Sequence, residues 1–232
     1  MSLGEYTGAG SGTTKLLLHL NGNNTDTSGN SNSSTDTAIT YSQANGKFGQ
    51  GAGFNGSSSI ILITDNAALQ GTGSHTIGLW VKFTALPASD ANVWLIMKGY
   101  DDGITGGWGV GLNLFDTSGT AKFRSYCASS ADAAYFAEGF TPSTGIWYSV
   151  MSVFNSSTSK IQLYVNGNFI SETASANNIR YGNGSIIGAY TNGTPSSFIN
   201  GAIDEILIEN TAWSASKIKK YYTYAKGRFG IN

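Results

Sequence analysis

The residues of this sequence best suited to chemistry are aromatic rings and carboxylates gathered around one glycine-rich stretch, GYDDGITGGWG at 99–109. A sugar is held by exposed rings that meet its apolar face, while amides and carboxylates fix its hydroxyls. On that chemistry Trp94, Tyr100, Trp108, Tyr126 and Tyr135, flanked by Asp101, Asp102 and Asn113, form a candidate carbohydrate site. A glycine-rich segment with two adjacent carboxylates is poor packing material. It reads either as a binding loop or as a plain connection between strands.

Catalytic constellations are harder to assemble. Glycoside hydrolysis needs two carboxyl groups on either side of the scissile bond. The glutamates are Glu5, Glu138, Glu172, Glu205 and Glu209, and none is spaced two along from another carboxylate. Asp204 and Glu205 are adjacent, so on a strand they project to opposite faces. A Ser-His-Asp or Cys-His arrangement would have to use His19 or His75, each of which sits in or beside a strand and reads as structural. The single Cys127 has no partner for a disulfide and reads as a small buried apolar residue. The chain is therefore expected to be non-enzymatic, with no required cofactor.

Charge narrows the partners. Only 12% of residues are charged and the net charge is -1, which leaves no electrostatic footprint for nucleic acid or an anionic membrane. No apolar run approaches the ~20 residues needed to span a bilayer, and no signal peptide is visible at the start. At this length, one large all-β domain is expected to bury enough surface to stand without staples.

Residues 1–14, MSLGEYTGAGSGTT, are glycine-rich and nearly devoid of apolar side chains, so they read as a flexible or docking arm. From Lys15 onward, short β-prone runs alternate with Gly/Asn/Ser turns to residue 232. In TIGLWVKF at 76–83, Ile77, Leu79, Val81 and Phe83 point one way and Trp80 and Lys82 the other. Asn166-Gly167, between KIQLYV and NFI, accepts the positive φ angles of a two-residue hairpin turn. Near the end, Ser214 precedes Ile218, Tyr221 and Tyr222 at helical spacing, predicting a short helix capped by Ser214 and packed as a lid on the edge of the sandwich.

Six segments in order carry a resemblance: LLLHLNGNNTDTSGN at 16–30, GKFGQGAGFNGSSSIILI at 46–63, HTIGLWVKF at 75–83, TGIWYSVMSVF at 144–154, KIQLYVNGNFI at 160–170 and FINGAIDEILIENTAWSASKIKKYY at 198–222. Together they resemble the laminin G-like, concanavalin A-like lectin/glucanase jelly-roll domains over residues 15–232. The resemblance implies an all-β, two-sheet antiparallel β-sandwich of about six or seven strands per sheet with a short C-terminal helix. It also implies a possible Ca2+ site at Asn21, Asn23, Asp26 and Asp204, where some relatives hold an ion. The other reading of the same residues is that Asp26 caps a turn and Asp204 binds backbone amides. Relatives carry an acidic residue in the first turn of the last helix. Lys217 stands there instead, so the reciprocal capping bond is missing and modest fraying is expected.

Two functions from different classes follow. The favoured one is a structural or interaction module of a larger assembly, a phage virion protein of capsid, tail or fibre, meeting other subunits or copies of itself through the arm. The alternative is a carbohydrate-binding, lectin-like module of a secreted or surface protein, with glycan as partner. The expected location is accordingly a virion or the extracellular surface.

Overall fold

The computed structural model describes residues 12–71, 73–100, 109–129, 133–176, 183–192 and 194–228. Alternating apolar residues build two antiparallel sheets stacked face to face. The first has eight strands: β13 (Asn168–Ala174), β12 (Lys160–Val165), β11 (Trp147–Asn155), β6 (His75–Ala85), β17 (Asn200–Glu209), β4 (Gly51–Asn55) and β3 (Thr40–Ser42) in that order, with β1 (Thr14–Leu18) also paired to β17. The second has seven: β10 (Ala134–Gly139), β9 (Thr120–Ala128), β8 (Val110–Thr117), β7 (Asn92–Tyr100), β14 (Asn183–Ile187), β5 (Ile60–Ile63) and β2 (Ser34–Thr37). A small hairpin, β15 (Tyr190–Asn192) with β16 (Thr194–Ser196), stands apart from both.

The core lies between the sheets. Ile77, Leu79, Val81 and Phe83 of β6 face Leu112 and Leu114 of β8 and Phe123 of β9 within one apolar cluster, as the period of two requires. Burying each such side chain contributes about 1.5–3 kcal/mol. The predicted hairpin forms: Val165 pairs with Asn168, and Asn166 and Gly167 take φ of 51° and 72°. Gly167 is required twice over, because a Cβ there would also meet the Tyr222 side chain at 2.8 Å.

The C-terminal helix α1 spans Ala215–Arg228, with the Ser214 hydroxyl accepting from the Lys217 amide at 3.3 Å. Its first turn holds no acidic residue. Lys217 instead lays its ammonium over the Trp213 ring, 4.0 Å from the centroid. The position of the helix differs from the expected edge. Ile218, Tyr221 and Ala225 cover the outer face of the eight-stranded sheet, against Leu17, Trp80, Met151, Val153, Tyr164 and Leu207. The reason is that β6, β11, β12 and β17 carry apolar residues on both faces, so the outer one also needs a cover.

Most of the arm lies outside the described residues. Its last members are already anchored, with the Thr13 and Thr14 hydroxyls donating to Glu209 at 3.0 and 2.6 Å. The first strand thus begins at Thr14, one residue before the boundary read from the sequence.

Candidate functional site

Strands β7 to β10 lie side by side, and their register fixes which outward residues meet. One row across the outer face reads Trp94, Asn113, Arg124, Glu138. The row on one side reads Asn92, Phe115, Lys122, and that on the other Met97, Gly111, Tyr126, Phe136. Neighbouring residues within a row sit about 5 Å apart and successive rows about 7 Å apart, the scale of a sugar ring.

The floor of this face is aromatic. Trp94 meets Tyr126 edge to face at 5.3 Å and leans on Tyr190 of the small hairpin at 6.1 Å. Gly111 makes room for it: a Cβ at that position would sit 3.0 Å from the indole and 2.3 Å from the Ile96 carbonyl oxygen. Above the floor, the Arg124 guanidinium carbon lies 3.8 Å from the Phe115 ring centroid and 4.4 Å from that of Phe136. Its Nε donates to Glu138 Oε2 at 2.7 Å. Stacked on two rings and anchored by a carboxylate, the guanidinium is held in one orientation.

Among the described residues, two amide oxygens on this face have no partner. Asn113 Oδ1 and Asn92 Oδ1 are buried and accept no hydrogen bond. Leaving a buried acceptor unmade costs about 1–3 kcal/mol, a cost that a donor arriving with a ligand would relieve. Both oxygens call for a hydroxyl or an N–H. Rings, a fixed guanidinium and unmet amide acceptors are the recognition chemistry of a hydroxylated ligand.

The structure redistributes the sequence candidates. Trp94, Asn113 and Tyr126 come together on this face, but Trp94 is 2% and Tyr126 7% exposed, so they support the site and do not present a ring to a sugar. The exposed ring is Phe136, 40% accessible, from a strand that the sequence reading passed over. Tyr135 points the other way and packs on the core. Tyr100 ends β7, and its side chain lies outside the described residues, as do Asp101, Asp102 and Trp108. Phe115, Arg124 and Glu138 were also missed. For Arg124 the signal was the alternation in AKFRSY at 121–126, which does not reveal its cross-strand partners.

The four calcium candidates are each committed to local hydrogen bonds. Asp26 Oδ1 accepts from the Leu17 and Ser28 amides, and Oδ2 from Ser28 Oγ and both the backbone and side-chain nitrogens of Asn32. Asn21 Oδ1 accepts from the Gln50 amide at 2.9 Å and Asn23 Oδ1 from the Thr25 amide at 3.0 Å. Asp204 Oδ2 accepts from the Lys47 and Phe48 amides at 2.8 and 2.9 Å, leaving only its buried Oδ1 without a partner. Burial, with the neighbouring Glu205 charge, pushes the Asp204 carboxyl up to about 8 despite those amides. Among the described residues no group of three or more His, Cys, Asp or Glu could hold a metal ion.

The remaining titratable groups have structural surroundings. His19 Nδ1 pairs with Glu205 Oε2 at 2.8 Å, which raises its pKa. His75 is buried against Phe154 and held down to about 3 by desolvation, with the Lys98 charge adding to it. Burial pushes the Cys127 thiol up to about 12, so no thiolate forms at neutral pH. Among the described outward strand residues of this face, Glu138 is the one carboxylate, and Arg124 holds it.

The two stacked antiparallel sheets define a jelly-roll sandwich. The chain belongs to the concanavalin A-like lectin/glucanases superfamily, whose family profile matches residues 54–219. Among solved structures it is similar to the botulinum neurotoxin type G receptor binding domain (TM-score 0.70, 14% identity, 91% of this chain and 51% of that one). It is also similar to the binding domain of Paraclostridial Mosquitocidal Protein 1 (TM-score 0.71, 16% identity, 91% and 52%). A third is botulinum neurotoxin type C, whose cell entry is dependent upon interaction with two ganglioside molecules (TM-score 0.71, 14% identity, 92% and 51%). At these identities the likeness establishes the fold alone, and this chain spans about half the length of the chains it matches. Among curated proteins, none matches the sequence.

Proposed function

We propose that this chain is a glycan-binding module of a secreted or surface protein, and that the outer face of β7 to β10 is its binding face. The observation that carries the reading is the pair of buried, unpartnered amide oxygens of Asn92 and Asn113 beside the Phe115, Arg124 and Phe136 stack. These groups match what a sugar offers, hydroxyl donors on its rim and an apolar face on its ring. Similarity to toxin receptor-binding domains, one of which interacts with gangliosides, favours this reading over the virion role anticipated from the arm and the composition. With a single, paired carboxylate among the described strand residues of the face, binding without hydrolysis is the fitting activity.

A glycan array probed with the chain and with Asn113→Ala tests it. The expected result is binding by the wild type and about a tenfold or greater loss in the variant, one good hydrogen bond to a desolvated group being enough for that. The melting temperature of the variant should stay level or rise, because an unsatisfied buried acceptor has been removed. No binding to any glycan, together with a stable homo-oligomer that deletion of residues 2–12 dissolves, would return the assembly reading to first place.

A further inference from the structure

The same face carries more positive than negative charge. Lys122 and Arg124 project from β9 toward it, and Glu138 is the carboxylate opposing them. The chain as a whole has the opposite bias, with a net charge of -1. Glu138 takes only the Nε of Arg124. The guanidinium has five N–H donors, and those on Nη1 and Nη2 make no hydrogen bond among the described residues. Lys122 enters no ion pair among them either, the three that form being His19–Glu205, Arg124–Glu138 and Lys160–Glu172. Arg124 is nevertheless only 16% exposed, clamped between Phe115 and Phe136. A planar fork held still, with its outer donors unspent, is shaped for a planar or tetrahedral oxyanion more than for a lone hydroxyl.

We infer that the glycan recognised here is acidic, with a carboxylate or sulfate seated on the Nη donors of Arg124 beside Lys122 and with neighbouring hydroxyls donating to Asn113 and Asn92. The inference rests on the glycan-binding reading and adds the ligand class. Phe115 serves it from below, since its ring lies under the guanidinium and its Cα is the cross-strand partner of Lys122. Glu138 serves as the anchor that sets the angle of the fork. Its charge also repels an anion that would approach from the β10 side, so the acidic group enters from the β8 side.

Calorimetric titration of the intact chain with matched pairs of oligosaccharides separates the outcomes. One set of pairs compares uronic- or sialic-acid oligosaccharides with the same chains carrying the carboxyl reduced to an alcohol; the other compares sulfated chains with their desulfated forms. An anionic member should bind about tenfold or more tightly than its neutral counterpart. That advantage should shrink as salt is raised, because the partly exposed pair is screened. Which set shows the preference tells carboxylate from sulfate. Arg124→Gln should bring the ratio within a pair close to one. Arg124→Lys should retain only part of it, since the ammonium keeps the charge but loses the fork and the stacking. Equal affinity within every pair, or a preference that survives Arg124→Gln, overturns the acidic ligand and leaves the glycan-binding reading standing. Binding to neither member of any pair overturns both.

Discussion

Both sheets carry aromatic rings on their outer faces, and the two sets of rings meet opposite fates. On the eight-stranded sheet, Trp80, Met151, Val153, Tyr164 and Leu207 are covered by Trp213, Ile218, Tyr221 and Ala225, with Trp80 stacked on Tyr222 at 5.7 Å. On the seven-stranded sheet, the small hairpin and Phe198 cover the region around Trp94, Met97 and Ile186, but Phe136 is left exposed and Phe115 half-buried toward β10. Aromatic rings therefore do not mark a recognition surface by their number. What separates the faces is how far another segment covers the rings. The helix covers the apolar cluster beneath it, whereas among the described residues no donor reaches the amide oxygens of Asn92 and Asn113.

The contrast can be broken from either side. Tyr221→Ala, at 1% exposure in the middle of the helix contact, should cost about 3–5 kcal/mol and lower the melting temperature by on the order of 10 °C, without changing glycan affinity below the transition. If it instead behaves like a surface substitution, the helix does not hold its face and the comparison fails. The next effect depends on pH. Asp204 is held at about 8, above its ordinary 3.8, so the fold binds this proton more tightly than the unfolded chain does. The stability it supplies is complete below the ordinary carboxylate range and is lost as pH rises toward 8. Asp204→Asn, which never ionises, should match the wild type near pH 4 and exceed it by a margin that grows to several kcal/mol toward pH 8, read as a melting curve at each pH.

On the open face the pattern should reverse. Phe136→Ala should change stability by less than about 1 kcal/mol yet weaken glycan binding by about tenfold, because it removes an exposed ring and one wall of the Arg124 clamp. A large loss of stability with no loss of binding would make this face a second covered core. The smallest effect concerns calcium. With the oxygens of Asn21, Asn23 and Asp26 already spent on hydrogen bonds, melting midpoints in calcium and in EDTA should coincide. A clear rise in calcium would mean that these loops rearrange around an ion.

Particular residues show how much of this could be read in advance. The alternation of β6, the Asn166-Gly167 hairpin and the Ser214 cap are local signals, and each appears where the sequence places it. β10 did not stand out, because AYFAEG is short, rich in Ala and Gly, and lies at the edge of its sheet. With it went Phe136 and Glu138, half of what surrounds Arg124. Trp94, Asn113 and Tyr126 were recognisable as a group by residue type, but the roles of the two rings inverted, from exposed platforms to buried floor. Likewise the helix was legible and its seat was not, since the face it covers is assembled from five strands spread along the chain.

By itself the sequence determined the architecture: strand periodicity, turn residues and the order of six segments specify an antiparallel jelly roll, because each of those signals is encoded within a few neighbouring residues. Only the tertiary structure decided which outward residues meet and which are covered. Those properties depend on cross-strand register and on distant segments closing over a face, and a one-residue change of register would send every one of these side chains to the other side. The proposed binding face is a product of that register. Asn113 lies beside Arg124, and Arg124 beside Glu138, solely because β8, β9 and β10 pair as they do.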